Sequence, residues 1–167
     1  MDPGNLNTLP DYSELRTQWN LKIQSSVSII EAGEIMFKRQ QKIFSLLHAI
    51  FIEQVSQYSS LEGNELEKIK ADFDETEVLM HKLKVSLESM KKIQRQAKDK
   101  LEFINLHVSK HDCQNEVTEI KDLFNLFETT KLSFICANIN QFRSAVVGLH
   151  QKMSKLEETI TSRVTDE

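Results

Sequence analysis

Written in sevens, residues 66–108 place Leu66, Phe73, Met80, Leu87, Gln94, Leu101 and Val108 in one column. The interleaved column holds Ile69, Thr76, Leu83, Met90, Ala97 and Ile104. Eleven of these thirteen positions are apolar, at alternating spacings of three and four. A repeat of 3.5 residues keeps one stripe of a helix facing a partner along its whole length, so the pattern predicts the a/d seam of a coiled coil. At 1.5 Å per residue the segment is roughly 65 Å long, and partners of equal length are needed to cover it.

The rest of the chain is suited to supply them. Only four glycines and two prolines occur in 167 residues, and charged side chains make up 28%. Both prolines, Pro3 and Pro10, fall in the first ten residues, so no later position removes an amide donor from a helix. The size suits one domain. Residues 1–10 are expected as a flexible leader and 11–167 as a single helical-bundle domain. Asp11 with Glu14 forms a capping box that starts a first helix over about 11–60. The cluster Ser59, Ser60, Leu61, Glu62, Gly63, Asn64 predicts the first turn, with Asn64 and Glu67 as the next capping box. The second helix covers about 64–109. Ser109 or Asp112 then caps a third over about 112–163.

That third helix is expected to turn inward Val117, Ile120, Phe124, Phe127, Leu132, Ile135, Ile139, Phe142, Val146, Leu149, Met153, Leu156 and Ile160. The five-residue step from Phe127 to Leu132 is a phase slip that locally relaxes a supercoil. Short turns make neighbouring helices antiparallel. The expected fold is therefore all-α: an elongated antiparallel three-helix bundle with coiled-coil-like packing. In this register the acidic start of the second helix, including Glu65, Asp72 and Glu75, lies beside Arg143, Lys152, Lys155 and Arg163 on the third.

Net charge is -4 and the pI about 5.8, so no global field draws nucleic acid, and no nucleic-acid partner is expected. The start of the chain lacks the pattern of a secretory leader, and no N-x-Ser/Thr sequon occurs. On one helix Cys113 and Cys136 would stand roughly 30 Å or more apart, beyond disulfide reach. A reducing, intracellular location, the cytoplasm, is the expectation.

Three groups of residues are candidates for function. The stretch 43–52 is apolar nearly all round, more than one face of a three-helix bundle needs. Ile43, Phe44, Leu47, Ile50 and Phe51 are accordingly expected at an interface with another chain, a homodimer first, rather than in a thick local core. Lys38, Arg39, Lys42, Lys84, Lys91, Lys92 and Arg95 come level across the first two helices, with Lys131 near. They form either a belt for anionic lipid or an acidic partner, or a solvated helix surface. His107, His111 and Cys113 make a weak metal-ligand pattern, since two histidines at i and i+4 share a helix face. A histidine near a helix C-terminus is equally favoured by the dipole alone. Gln94 and Thr76, the polar entries in the seam, either set register or sit at the edge of the core.

No Gly-rich phosphate loop, H-E-x-x-H, G-x-S-x-G or paired C-x-x-C occurs, so neither an enzyme nor a cofactor is expected. The function expected from the residues is a non-enzymatic scaffold or adaptor that binds other proteins through coiled-coil-like helices. Three long antiparallel helices with a basic belt also resemble, in layout, the general plan of BAR domains. That resemblance implies a dimeric module binding anionic membrane surfaces. A subunit of a larger coiled-coil assembly is the remaining alternative.

Overall fold

The structure of the chain, a computed structural model, describes residues 9–57 and 63–165. Helix α1 spans Ser13–Gln57, α2 Gly63–His107, α3 Gln114–Leu132 and α4 Ile139–Thr165, and a π-helical segment at Ser133–Asn138 joins α3 to α4. The third helix of the bundle is thus α3, the π segment and α4 in succession. Three long helices pack against each other, with no strand among the described residues. No described helix is long and apolar enough to cross a membrane. The end of the first helix and most of the first turn expected from sequence lie outside the described residues. Asn64, expected as a cap, is already inside α2.

Helices α1 and α3 start on an aspartate used in the same way. The Ser13 amide donates to Asp11 Oδ1 (3.1 Å), and the Gln114 amide donates to Asp112 Oδ1 (3.1 Å). Each carboxylate satisfies an amide that the first helical turn leaves orphaned, and its charge faces the positive end of the helix dipole. The Ser13 amide is also the main reason the Asp11 carboxyl is held below its usual range. Between cap and helix, Tyr12 adopts a φ of 55°, unusual for a side chain of its size. The turn is secured from both sides: Tyr12 O accepts from the Arg16 amide (2.8 Å), and the phenol donates to Gln114 Oε1 (3.0 Å). The acceptor half of the Asp11 capping box is therefore present, and Asp112 rather than Ser109 caps α3.

Tertiary contacts divide the chain into two compact units. The first joins Met1–Gly33 to Leu87–Leu132. Its core is Trp19 from α1, Ala97, Leu101 and Ile104 from α2, then Val108 and Cys113 from the turn, and Val117, Ile120 and Phe124 from α3. Directions follow from single contacts. Lys100 of α2 forms an ion pair with Glu119 of α3, as antiparallel neighbours require. The Lys22 ammonium of α1 lies 5.3 Å from the centre of the Phe124 ring, and Arg16 Nε donates to Asn105 Oδ1 (2.7 Å).

The second unit joins Glu34–Ser86 to Ser133–Glu167. Aromatic rings lie at its centre: Phe73 is 5.8 Å from Phe44 and 5.1 Å from Phe51, and Phe44 is 6.0 Å from Phe142, centroid to centroid. Lys152 pairs with Asp72, as the charge pattern of the two helices anticipates. Exposed on one side, such a pair contributes only a few tenths of a kcal/mol, yet it disfavours other registers. Asn138 Nδ2 donates to Ser86 Oγ (2.9 Å) and Gln54 Nε2 to Glu157 Oε2 (2.8 Å).

The seam read from the sequence is the buried stripe of α2 and the turn after it. Ten of its thirteen positions are buried and three, Leu66, Met80 and Gln94, are half-buried. Thr76 is buried but donates to Asp72 O one turn back (2.7 Å), so its hydroxyl is satisfied within its own helix. Gln94 sits at the core's edge. The third helix departs from expectation. Leu132 and Ile135 are 56% and 46% exposed, and Phe134 is buried in their place. The five-residue step falls between Phe134 and Ile139, both buried. In an α-helix that step would carry Ile139 about 140° away from the direction of Phe134. The wider i→i+5 turn of the π segment lets both face inward.

Two substitutions test this packing. Ile104 is fully buried and Leu106 is 70% exposed, so Ile104→Ala should cost about 2–5 kcal/mol and Leu106→Ala less than about 1 in urea unfolding. A Cβ on Gly148 of α4 would meet nothing within 4 Å. Gly148→Ala should therefore raise stability by about 0.5–1 kcal/mol, and a lower midpoint would show that the site is not open.

Candidate interaction surface

The metal pattern is the least supported of the three candidates. The rings of His107 and His111 are 5.6 Å apart, and His107 leans on Phe103 with 4.3 Å between centroids. Cys113 is buried, its thiol directed at His111 O (3.6 Å). Burial first, then the carboxylates of Glu116 and Asp112, push its pKa up, which disfavours the thiolate a metal or an electrophile requires. Among the described residues no group of three or more His, Cys, Asp or Glu side chains is placed to hold a metal ion. In this structure Cys113 acts as a core residue.

The basic residues are divided between the units. Lys38, Arg39, Lys42 and Lys84 belong to the second, all exposed, and Lys91, Lys92 and Arg95 to the first. Lys91 is half-buried and lies 3.5 Å from Glu88, and Lys131 is 2.6 Å from Glu128.

The apolar stretch 43–52 separates into two faces. Phe44, Leu47 and Phe51 turn inward into the second unit's core and are no part of an exposed interface, contrary to the expectation from sequence. Ile43 and Ile50 remain outside, 44% and 49% exposed, with Leu46 at 55% and Met36 at 38%. Met36, Ile43 and Ile50 recur every seven residues on α1 and Leu46 lies three beyond Ile43, so all four lie along one side of the helix. Arg39 and Lys42 are also exposed; at 100° per residue Arg39 falls within the stripe, between the directions of Ile50 and Leu46, and Lys42 lies just beyond Leu46. The stripe borders the core without belonging to it.

A second surface was not anticipated from sequence. In the first unit, α2 and α3 leave between them a groove of about 620 Å³. Phe103, Leu123 and Leu126 line it, with Phe103 42% and Leu126 51% exposed. Its polar lining includes Asp99, Asp122 and the Lys100–Glu119 ion pair. Three carboxylates thus stand against one ammonium. The available signal was Phe103 between seam positions 101 and 104 and Leu126 between core positions 124 and 127: apolar residues one step off a core stripe.

The two thiols separate a buried group from an exposed one. Alkylation of the folded chain should label Cys136 readily and Cys113 only after unfolding. Cys113 and Tyr12 both have raised pKa values, from ordinary values of 9.0 and 10.0. For Tyr12 burial again leads, followed by Asp112 and Cys113. A group that holds its proton more tightly when folded gives stability that is intact below its unfolded pKa and lost as pH rises through the folded one. The urea midpoint should accordingly fall above pH 9, and Cys113→Ala should flatten the first part of that fall.

The chain matches no protein-family model, no curated protein and no solved structure.

Proposed function

We propose that the chain is a non-enzymatic helical scaffold or adaptor that binds other proteins through exposed helix faces, with self-association as its first mode. What supports this reading is that Met36, Ile43, Leu46 and Ile50 remain exposed beside a core already filled by Phe44, Leu47 and Phe51. Single exposed apolar side chains are ordinary on any protein surface. Four along one side of a helix, with Arg39 among them and Lys42 beside them, form an apolar strip that carries its own positive charge, the pattern of a contact between chains. Of the interface expected from the sequence over 43–52, this reading keeps Ile43 and Ile50 and adds Leu46 and, outside that stretch, Met36.

Light scattering on a sizing column over a range of concentrations tests the reading. The expected mass is twice 19.4 kDa. The double substitution Ile43→Glu, Ile50→Glu should return it to the monomer mass with unchanged circular dichroism, because both side chains lie outside the core. A dimer that keeps its mass in this variant would place the contact elsewhere. A wild-type monomer at every concentration would end the proposal of self-association.

A further inference from the structure

We infer that the groove between α2 and α3 of one copy receives the apolar stripe of α1, with its basic residues, from a second copy. The inference rests on the self-association just proposed and names its other half. Groove and stripe are complementary in three respects.

The first is shape. A helix laid in a groove anchors through side chains at i, i+3 and i+7, the spacing of Ile43, Leu46 and Ile50. Those anchors span about 10 Å of helix. Each wall of the groove is lined over the same number of residues, from Gln96 to Phe103 on α2 and from Glu119 to Leu126 on α3.

The second is apolar surface. Phe103, Leu123 and Leu126 offer the groove an apolar lining. Ile43, Leu46 and Ile50 offer the stripe three exposed branched side chains. Contact between them removes both from water: Phe103 and Leu126 stand exposed at the groove, and Leu123 at its floor also packs against the first unit's core.

The third is charge. Asp99, Asp122 and Glu119 outnumber Lys100 in the groove, while Arg39 stands within the stripe and Lys42 beside it, with no carboxylate between Met36 and Ile50 in the chain. Opposite potentials favour this pairing, whereas stripe against stripe would set like charges together. That difference selects the groove over a second stripe as the docking surface.

Charge exchange in the full-length chain tests the inference. Asp99→Lys with Asp122→Lys makes the groove basic, and Arg39→Glu with Lys42→Glu makes the stripe acidic. All four residues are exposed, so each double variant should keep the wild-type circular dichroism and urea midpoint. Each alone should dimerise at least about tenfold more weakly than wild type, since groove and stripe then carry the same sign. Mixed in equal amounts, the two variants should recover the dimer mass: every groove in the mixed pair again faces a stripe of opposite charge. A groove variant with wild-type dimer affinity overturns this inference and leaves the self-association reading standing. So does weakening of both variants without recovery on mixing. A wild-type chain that is monomeric throughout overturns both.

Discussion

One buried stripe on α2 organises the molecule. Ile69, Phe73, Leu83, Leu87, Met90, Ala97, Leu101 and Ile104 all fall on the alternating three- and four-residue repeat of the helix, and each is buried. No isolated helix can shield such a stripe from water, so its burial needs apolar faces from other helices along its length. Phe73 shows how they are supplied: Phe44 and Phe51 of α1 close on its ring. In the first unit Ile104 stands in one cluster with Trp19 of α1 and Ile120 of α3. Because dispersion contacts are individually small and numerous, hydrophobic patterning sets which stripe is buried, while ring geometry and polar pairs set how it is met.

The third helix carries the mismatch between a continuous backbone and a core with its own period. Its inward positions step by three and four to Phe127, by seven, one full repeat, to Phe134, and then by five to Ile139. A regular α-helix would bury one of these two and expose the other. The π turn keeps both inside by widening a single stretch of backbone, and it leaves Ile135 and Cys136 on the surface. Asn138, at the end of that turn, bonds across to Ser86 and holds the altered backbone to α2. The slip was visible in the sequence as an irregular interval, but it was placed at Leu132. Leu132 is as apolar as Phe134, and hydrophobicity alone does not say which of two nearby apolar residues the wider turn brings inside.

The same ambiguity governs the surface. The stretch 43–52 carries more apolar side chains than one helix face can bury. The tertiary structure sorts them: Phe44, Leu47 and Phe51 inside, Ile43, Leu46 and Ile50 outside. On α2 and α3, Phe103 and Leu126 are left over in a similar way, and there the neighbouring side chains are acidic. Surplus apolar surface of two kinds, one with basic residues and one with acidic residues, is the physical basis of the proposed association.

Sequence alone determined the helical class, because the scarcity of glycine and proline and the heptad columns leave no other economical way to bury this much apolar surface. It also determined the seam of α2, the antiparallel succession, and the facing of the acidic start of α2 with basic residues of the third helix, all consequences of periodicity and short turns; the structure picked out Asp72 and Lys152 among them. Tertiary structure decided what periodicity leaves degenerate. It decided that Asp112 caps α3, that the phase slip becomes a π turn at Ser133–Asn138, and that Cys113 is a core residue beside His111. It alone revealed the groove, whose lining comes from α2 and α3 together: residues far apart in the chain become one surface only when packing sets the rotation of each helix about its axis.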